Sequence, residues 1–287
     1  MSLLNQNLQA FTAIVKNATV HGAATELGLT QTAVTQRIRA LERELETTLF
    51  LRSRKGMQLT QEGEALLRYC HGATDLEGEA LSSIQGAGKA KSVFLSVVGP
   101  TSVMTARIVE QCASLYGNWP ELYLNFIMTD TEDRLQMVRS GRAALAIVSP
   151  DEVPNEMDSK MLKPDKYVLV ASKKWKGRRI QDILSTERVI DFYESDKTTM
   201  SYLKNFEMSH DLRRPRLFSN NNEAIIQLFS RGVGFGTLTQ EIAKPHLESG
   251  DLILLNGGAM MEDPLALAWY PRPEMPGYLE AIISSIR

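Results

Sequence analysis

The sequence predicts an α/β chain with a small all-α head at its amino end, a long connecting helix and a larger body of alternating strands and helices. Three observations carry this. Apolar residues recur at helical spacing from Leu4 to Leu45, interrupted at Gly28. A second periodic stripe, Leu66, Tyr69, Ala73, Leu76, Ala80 and Ile84, runs on alone after it. Beyond Ser92 the texture changes to short apolar runs, "VFLSVV", "LYLNFIM", "AALAIV", "KYVLVA", "RVIDF", "RLFS", "GVGFGTL", "DLILL" and "LALAWY", separated by helical stretches, which predicts a mostly parallel sheet. A chain of 287 residues suits roughly two domains of about 150 residues each.

The head is built in order. Leu4, Leu8, Phe11, Ile14 and Val15 mark a first helix, and Val20 to Leu27 a second that ends on Gly28 as its C-terminal cap. Thr30 stands at the N-cap of a third, whose buried stripe is Val34, Ile38, Leu41 and Leu45. Two helices joined by a short glycine-containing turn form a helix-turn-helix. Burying that stripe turns Thr32, Thr35, Gln36 and Arg39 outward, and Thr30, Gln31 and Arg37 complete the candidate DNA-binding set, where a merely solvated face would carry Glu and Lys. Short hydroxyls let a helix settle into the major groove of DNA, Gln pairs bidentately with adenine and Arg with guanine. In "TTLFLRSRKGMQLTQEG", Leu49 to Arg52 and Met57 to Thr60 can pair as a wing, with Arg52 and Arg54 placed to reach phosphates or the minor groove. A random polar surface on a small bundle is the competing reading.

Thr60 caps the long helix, with Glu62 in its first turn. Its stripe from Leu66 to Ile84 is nearly a heptad seam, suited to the same helix of a second chain, although packing against its own domain remains the alternative. "QGAGKAKS", Gln85 to Ser92, reads as a hinge.

Composition narrows the function. A formal net charge of −2, 43% hydrophobic and 23% charged residues are ordinary for a soluble protein. No apolar run suggests a membrane span and no signal peptide is apparent, so a cytoplasmic location is expected. Cys70 and Cys112 fit no disulfide or zinc spacing, and His21, His71, His210 and His246 are scattered. No catalytic or metal-binding constellation, and hence no enzyme and no cofactor, is expected.

In an open α/β sheet, ligands collect where strands end and helices begin. "GPTSVM" and "SNNNEA" are such junctions, so Thr101, Ser102, Asn220, Asn221 and Asn222 could hold a carboxylate, though helix capping explains them almost as well. Asp130, beside Thr129, with Asp191 and Glu194, could meet a cationic group together with the rings of Phe192 and Tyr193. Asp130 and Glu194 also suit helix first turns.

"AATELGLTQTAVTQRIRALERELETTLFLRSRKGMQLTQEG" closely resembles the amino-terminal domain of LysR-type transcriptional regulators, and the resemblance extends to the order of elements along the whole chain. His21-Gly22 and Glu62 depart from the family pattern and put the start of the second helix in question. The resemblance implies a winged helix-turn-helix DNA-binding domain at 1–60, a linker helix and hinge at 61–91, and an effector-binding module at 92–287. That module resembles periplasmic solute-binding proteins, with one subdomain at 92–163 and 267–287, a second at 164–266, and the effector between them. The implied partners are double-stranded promoter DNA, a small-molecule effector, further copies as a homodimer or homotetramer, and RNA polymerase. Gln36-Arg37-Ile38, "VIDFYESDKTTMSYLKNF", "SNNNEAIIQLFSRGVGFGTLTQ" and "LESGDLILL" look like the branch that senses lysine and arginine. Aromatic and dicarboxylic effectors stay open as alternatives, as does a solute-binding module without DNA binding.

Overall fold

The computed structural model describes residues 4–53, 56–85, 92–130, 133–208, 214–272 and 274–287. The head begins with α1 (Gln6–Asn17), α2 (Val20–Leu27) and α3 (Gln31–Glu44). Each starts on a side-chain cap: Asn5, Thr19 and Thr30 accept from Leu8, Gly22 and Ala33 amides at 2.8, 3.0 and 3.1 Å. Gly28 closes α2 in the left-handed conformation, as expected of it. Phe11, Ile14, Ala23, Val34, Ile38, Leu41 and Leu49 fill one buried core between the three helices and the wing.

The wing pairs β1 (Phe50–Ser53) with β2 (Gly56–Leu59), each strand shifted by one residue from the expectation. Two bonds lock it to the helices. Glu42 on α3 accepts the Leu49 amide at 2.9 Å, and the Ala18 carbonyl accepts the Met57 amide at 2.9 Å.

The linker helix α4 (Gln61–Gln85) spans 25 residues. Its Thr60 cap accepts the Gly63 amide at 3.0 Å, and Glu62 and Glu64 complement the positive end of the helix dipole. Here the expected seam needs correction. Leu66 packs on the head's own core beside the buried Leu67 and Cys70, so the first turns of the stripe close the head. Tyr69 points outward and is 62% exposed. The side chains of Leu76, Ala80 and Ile84 lie outside the described residues.

The body carries β3 (Val93–Gly99), β4 (Leu122–Met128), β5 (Leu145–Val148), β6 (Asp158–Ser172), β7 (Arg188–Asp191), β8 (Leu217–Phe218), β9 (Gly234–Thr239), β10 (Leu252–Leu254) and β11 (Met260–Trp269). Their order is β4-β3-β5-β11-β6-β9-β7-β8, with β10 also on β6. The sheet is mixed rather than mostly parallel: β3 is parallel to β4 and β5, and β7 to β8 and β9, but β6 and β11 run antiparallel to every strand they pair with. The physical reason is that these two strands carry the chain between two cores. On one side Leu162, Leu265 and Leu267 join Val97, Ile108 and Ile282, and on the other Leu169 and Ala171 join Trp175, Tyr202 and Phe235.

The change of core occurs where Asp165 faces Asp263, next to a register shift that contains Pro164 and Pro264. Proline has no amide to donate, so it is tolerated at such an irregularity. Asp165 is buried there and accepts from Arg107 Nη2 at 2.9 Å, while Arg107 Nη1 donates to the Lys163 carbonyl at 3.0 Å. Burial outweighs the attraction of Arg107, and Glu241 and Asp263 add repulsion, so the Asp165 carboxyl is raised to about 6. A carboxyl raised above its unfolded value of 3.8 binds its proton more tightly when folded. The stability it contributes is therefore fully present below its unfolded pKa and is lost as the pH rises through its folded one. Relative to Asp165→Asn, the urea midpoint of the unmodified chain is expected to fall between about pH 4 and about pH 6 and then to level off. A difference that stays constant over that window contradicts this account of the crossing.

Candidate effector cleft and DNA-reading face

The outer face of α3 is set by what the inner face buries. With Val34, Ile38 and Leu41 turned into the core, Gln31, Thr32, Gln36 and Arg39 are exposed. Among the described residues, the side chains of Thr32, Gln36 and Arg39 make no hydrogen bond or ion pair and are available to a partner. Others of the expected set are engaged. Thr30 is the helix cap, and Thr35 Oγ1 donates to the Gln31 carbonyl at 2.8 Å. Arg37 donates to Gln6 Oε1 at 2.9 Å and thereby steadies the start of α1. Gln31 Nε2 lies 3.1 Å from His21 Nδ1, which brings His21 to the face although its sequence position gave no reason to select it. The Arg52 side chain and the whole of Arg54 lie outside the described residues.

A cavity of about 190 Å³ lies between the two halves of the body. It brings together Ser102, Asp130, Asp191, Phe192, Tyr193 and Asn222 from the expected set, and adds Arg134, Tyr167, Asp196, Thr237 and Thr239. Arg134 follows Asp130 by four residues and Asp196 belongs to the same "YESD" stretch as Glu194, so sequence proximity pointed toward both.

The assumed division into a carboxylate-holding end and an acidic end does not match this geometry. Thr101 is spent on Asp130: its amide donates to Oδ1 at 3.0 Å and its hydroxyl to Oδ2 at 2.5 Å. Ser102 is hydrogen-bonded to Tyr167, whose phenol burial pushes upward. Asn221 caps the helix Asn222–Arg231 by accepting the Ala224 amide at 2.9 Å, and both Asn220 and Asn221 are exposed outside the cavity lining. Thr129 is outside the lining of this cavity, and its carbonyl accepts from Arg134 Nη1 at 3.1 Å. Glu194 is exposed and also outside the lining, and its carbonyl accepts from Arg216 Nη2 at 2.5 Å.

Asp191 lines the cavity but is buried and paired with Arg216 at 2.7 Å. Burial pushes its carboxyl up against the opposing hydrogen bonds of Thr199 and Arg216. Asp196 accepts from the Phe192 and Thr198 amides at 3.1 and 2.9 Å, which folds the loop after β7 back on itself. Tyr193 crosses the cleft. Its phenol donates to the Asp130 carbonyl at 2.7 Å, and burial pushes that phenol up to about 12, so it keeps its proton in neutral solution. Two buried polar atoms on the lining residues, Arg134 Nε and Thr239 Oγ1, have no hydrogen-bond partner among the described residues.

Cys70 is buried and its thiol is pushed up to about 11 by that burial, which fits an inert core thiol. Among the described residues there is no group of three or more His, Cys, Asp or Glu placed to hold a metal, and no helix long and apolar enough to cross a membrane.

Comparison with known proteins matches two parts of the chain to family models. Residues 5–64 match the bacterial regulatory helix-turn-helix protein, lysR family, and residues 94–287 match the LysR substrate binding domain. The HTH-type transcriptional regulator CzcR of Bacillus thuringiensis (strain Al Hakam) is 27% identical over 250 residues, covering 84% of this chain and 79% of that protein. The regulator GltR of Bacillus subtilis (strain 168) is 28% identical over 253 residues, covering 85% and 82%. Among solved structures, ArgP from Mycobacterium tuberculosis superposes with a TM-score of 0.81 at 21% identity, over 99% of this chain and 96% of that one. LysG from Corynebacterium glutamicum reaches 0.76 at 18% identity, over 99% and 96%. These relatives are regulators rather than enzymes, and with both family domains present in order, this chain belongs to the LysR family of DNA-binding transcriptional regulators.

Proposed function

We propose that residues 1–60 read DNA through α3, that residues 61–91 pair and space two such heads, and that residues 92–287 bind a small cationic amino acid, with lysine and arginine the favoured candidates. The observation that supports the effector class is the charge of the cleft. Asp130, Asp191 and Asp196 line it against one lining arginine, Arg134, with Arg216 behind Asp191. A zwitterion with an additional positive group complements that surface: its carboxylate meets Arg134 and its cationic groups meet Asp130 and Asp196. The cavity of about 190 Å³ is also smaller than the roughly 300–1,000 Å³ usual for drug-sized ligands, which favours a compact metabolite over a fused-ring one. The similar structure of LysG holds arginine as its effector.

Effector binding works on this reading by differential affinity. A ligand that binds one spacing of Asp130 and Arg134 relative to Tyr193 and Asp196 better than another shifts the population toward it, and α4 carries the change to the heads. Calorimetry with a panel of common amino acids and small organic acids tests the class. Lysine or arginine is expected to bind, norleucine at least tenfold more weakly, and Arg134→Gln to weaken every amino acid while Asp196→Asn weakens only cationic ones. Tight binding of an aromatic or dicarboxylic acid, with silence for lysine and arginine, overturns the effector class and leaves the DNA reading intact.

For the heads, Gln36→Ala is expected to relax base preference at one or two operator positions, each by about 1–3 kcal/mol of discrimination, with the salt dependence of binding unchanged. Arg39→Ala, if its guanidinium meets phosphate, lowers affinity for all sequences alike and reduces the salt slope by about one. Gel-shift titrations against an operator panel at several salt concentrations measure both. Equal loss at every sequence for Gln36→Ala excludes base reading by that residue.

A further inference from the structure

The first turns of α2 and α3 meet across the turn that Gly28 closes, and each presents one exposed polar side chain there, with Gln31 Nε2 3.1 Å from His21 Nδ1. Among the described residues, neither side chain makes any other hydrogen bond. The main chain beneath them is fixed. The Thr19 cap accepts the Gly22 amide at 3.0 Å, Thr25 Oγ1 donates to the His21 carbonyl at 3.1 Å, and Thr35 Oγ1 donates to the Gln31 carbonyl at 2.8 Å. A Cβ at Gly22 would fall 2.8 Å from Asn17 Cβ, so α2 starts close against the end of α1. The contact between two nitrogens decides its own polarity. An amide nitrogen donates and does not accept, so His21 Nδ1 is the acceptor, and this assigns the ring proton to its Nε2.

We propose that His21 is a positioning residue for base readout: it holds the Gln31 carboxamide in one of its two orientations and so sets the base preference at one operator position. This rests on the reading of α3 as the helix that enters the major groove. A glutamine carboxamide carries an oxygen that accepts and a nitrogen with two protons, and a half-turn about its last bond exchanges the two. Bound to His21, Nε2 gives up one proton, which leaves Oε1 and one further proton for DNA. One acceptor and one N–H are what the N6 and N7 edge of adenine takes in a bidentate pair. The reversed amide would set Oε1 against the lone pair of Nδ1, two acceptors facing each other, so the ring opposes the flip. Thr32, Gln36 and Arg39 have no such neighbour on this face, since their side chains make no hydrogen bond or ion pair among the described residues. Gln31 is therefore the reader whose donor and acceptor are oriented before DNA arrives.

Operators are selected from a randomised DNA library with the full chain. Gel-shift competition then measures the preference at each position for the unmodified chain, His21→Ala, Gln31→Ala, Gln36→Ala and the His21→Ala, Gln31→Ala double variant. His21 and Gln31 are exposed and enter no core, so the substitutions remove no packing. His21→Ala is expected to lower the preference for adenine about three- to tenfold, the yield of one orienting hydrogen bond, at a position that Gln31→Ala also relaxes, with other positions unchanged. The double variant is expected to match Gln31→Ala alone, because His21 acts only through that side chain. Unchanged preferences for His21→Ala overturn the proposal, as do losses that add in the double variant. A uniform loss over all sequences with every preference intact also overturns it, since the ring is then a phosphate contact. If Gln36→Ala likewise leaves every preference intact, the reading of α3 fails too, whereas relaxation by Gln36→Ala alone overturns the role of His21 and leaves α3 as the reader.

Discussion

Two strands that belong to two cores at once set the limits on everything else in the body. Leu162 and Leu265 hold β6 and β11 in one core, and Leu169 and Ala171 on β6 lie in the other. Each such burial stabilises by roughly 25 cal/mol per Å² of apolar surface removed from water. Neither half can leave the other without exposing part of its own interior. What remains free is rotation about the paired strands, and the groups lining the cleft, Asp130 and Arg134 on one side and Tyr193 and Asp196 on the other, lie where such rotation changes their spacing.

The head and α4 obey a related constraint. The Glu42 contact to Leu49 joins the wing to α3, and the Ala18 contact to Met57 joins it to the turn between α1 and α2, so the wing and the three helices hold together as one body. Leu67 and Cys70 then extend the same core into α4. On the same turns, Arg68 and His71 engage the effector-binding body. One short stretch of helix is thus packed on both modules.

Much of this was legible in the sequence because it is periodic or local. The stripe of Val34, Ile38 and Leu41, the caps at Thr30 and Thr60, and the nine strands of the body follow from spacing and from residue types that act on their immediate neighbours. What escaped depends on partners far apart in the chain. Thr101 meets Asp130 across 29 residues and Asp191 meets Arg216 across 25, and each pairing converts an apparent ligand-binding group into a structural one. Periodicity reports that a face is buried but not against what, which is why Leu66 looked like a seam between chains and lies instead on the head's core. The antiparallel course of β6 and β11 did leave a trace, in Pro164 and Pro264, which suit an irregular crossing better than the interior of a parallel strand.

Those two prolines bear on how readily the sheet bends at the crossing. At the crossing they take two amide donors out of the ladder, so bending there sacrifices few backbone hydrogen bonds, and the sheet offers little enthalpic resistance to a small rotation. Contacts across the cleft do resist it, among them the bond from the Tyr193 phenol to the Asp130 carbonyl and the one between Ser102 and Tyr167. Because the acceptor of the Tyr193 bond is main chain, exchanging the side chain at position 130 leaves the acceptor in place. Variation of that side chain can therefore change the charge offered to a ligand while the bond from Tyr193 stays intact.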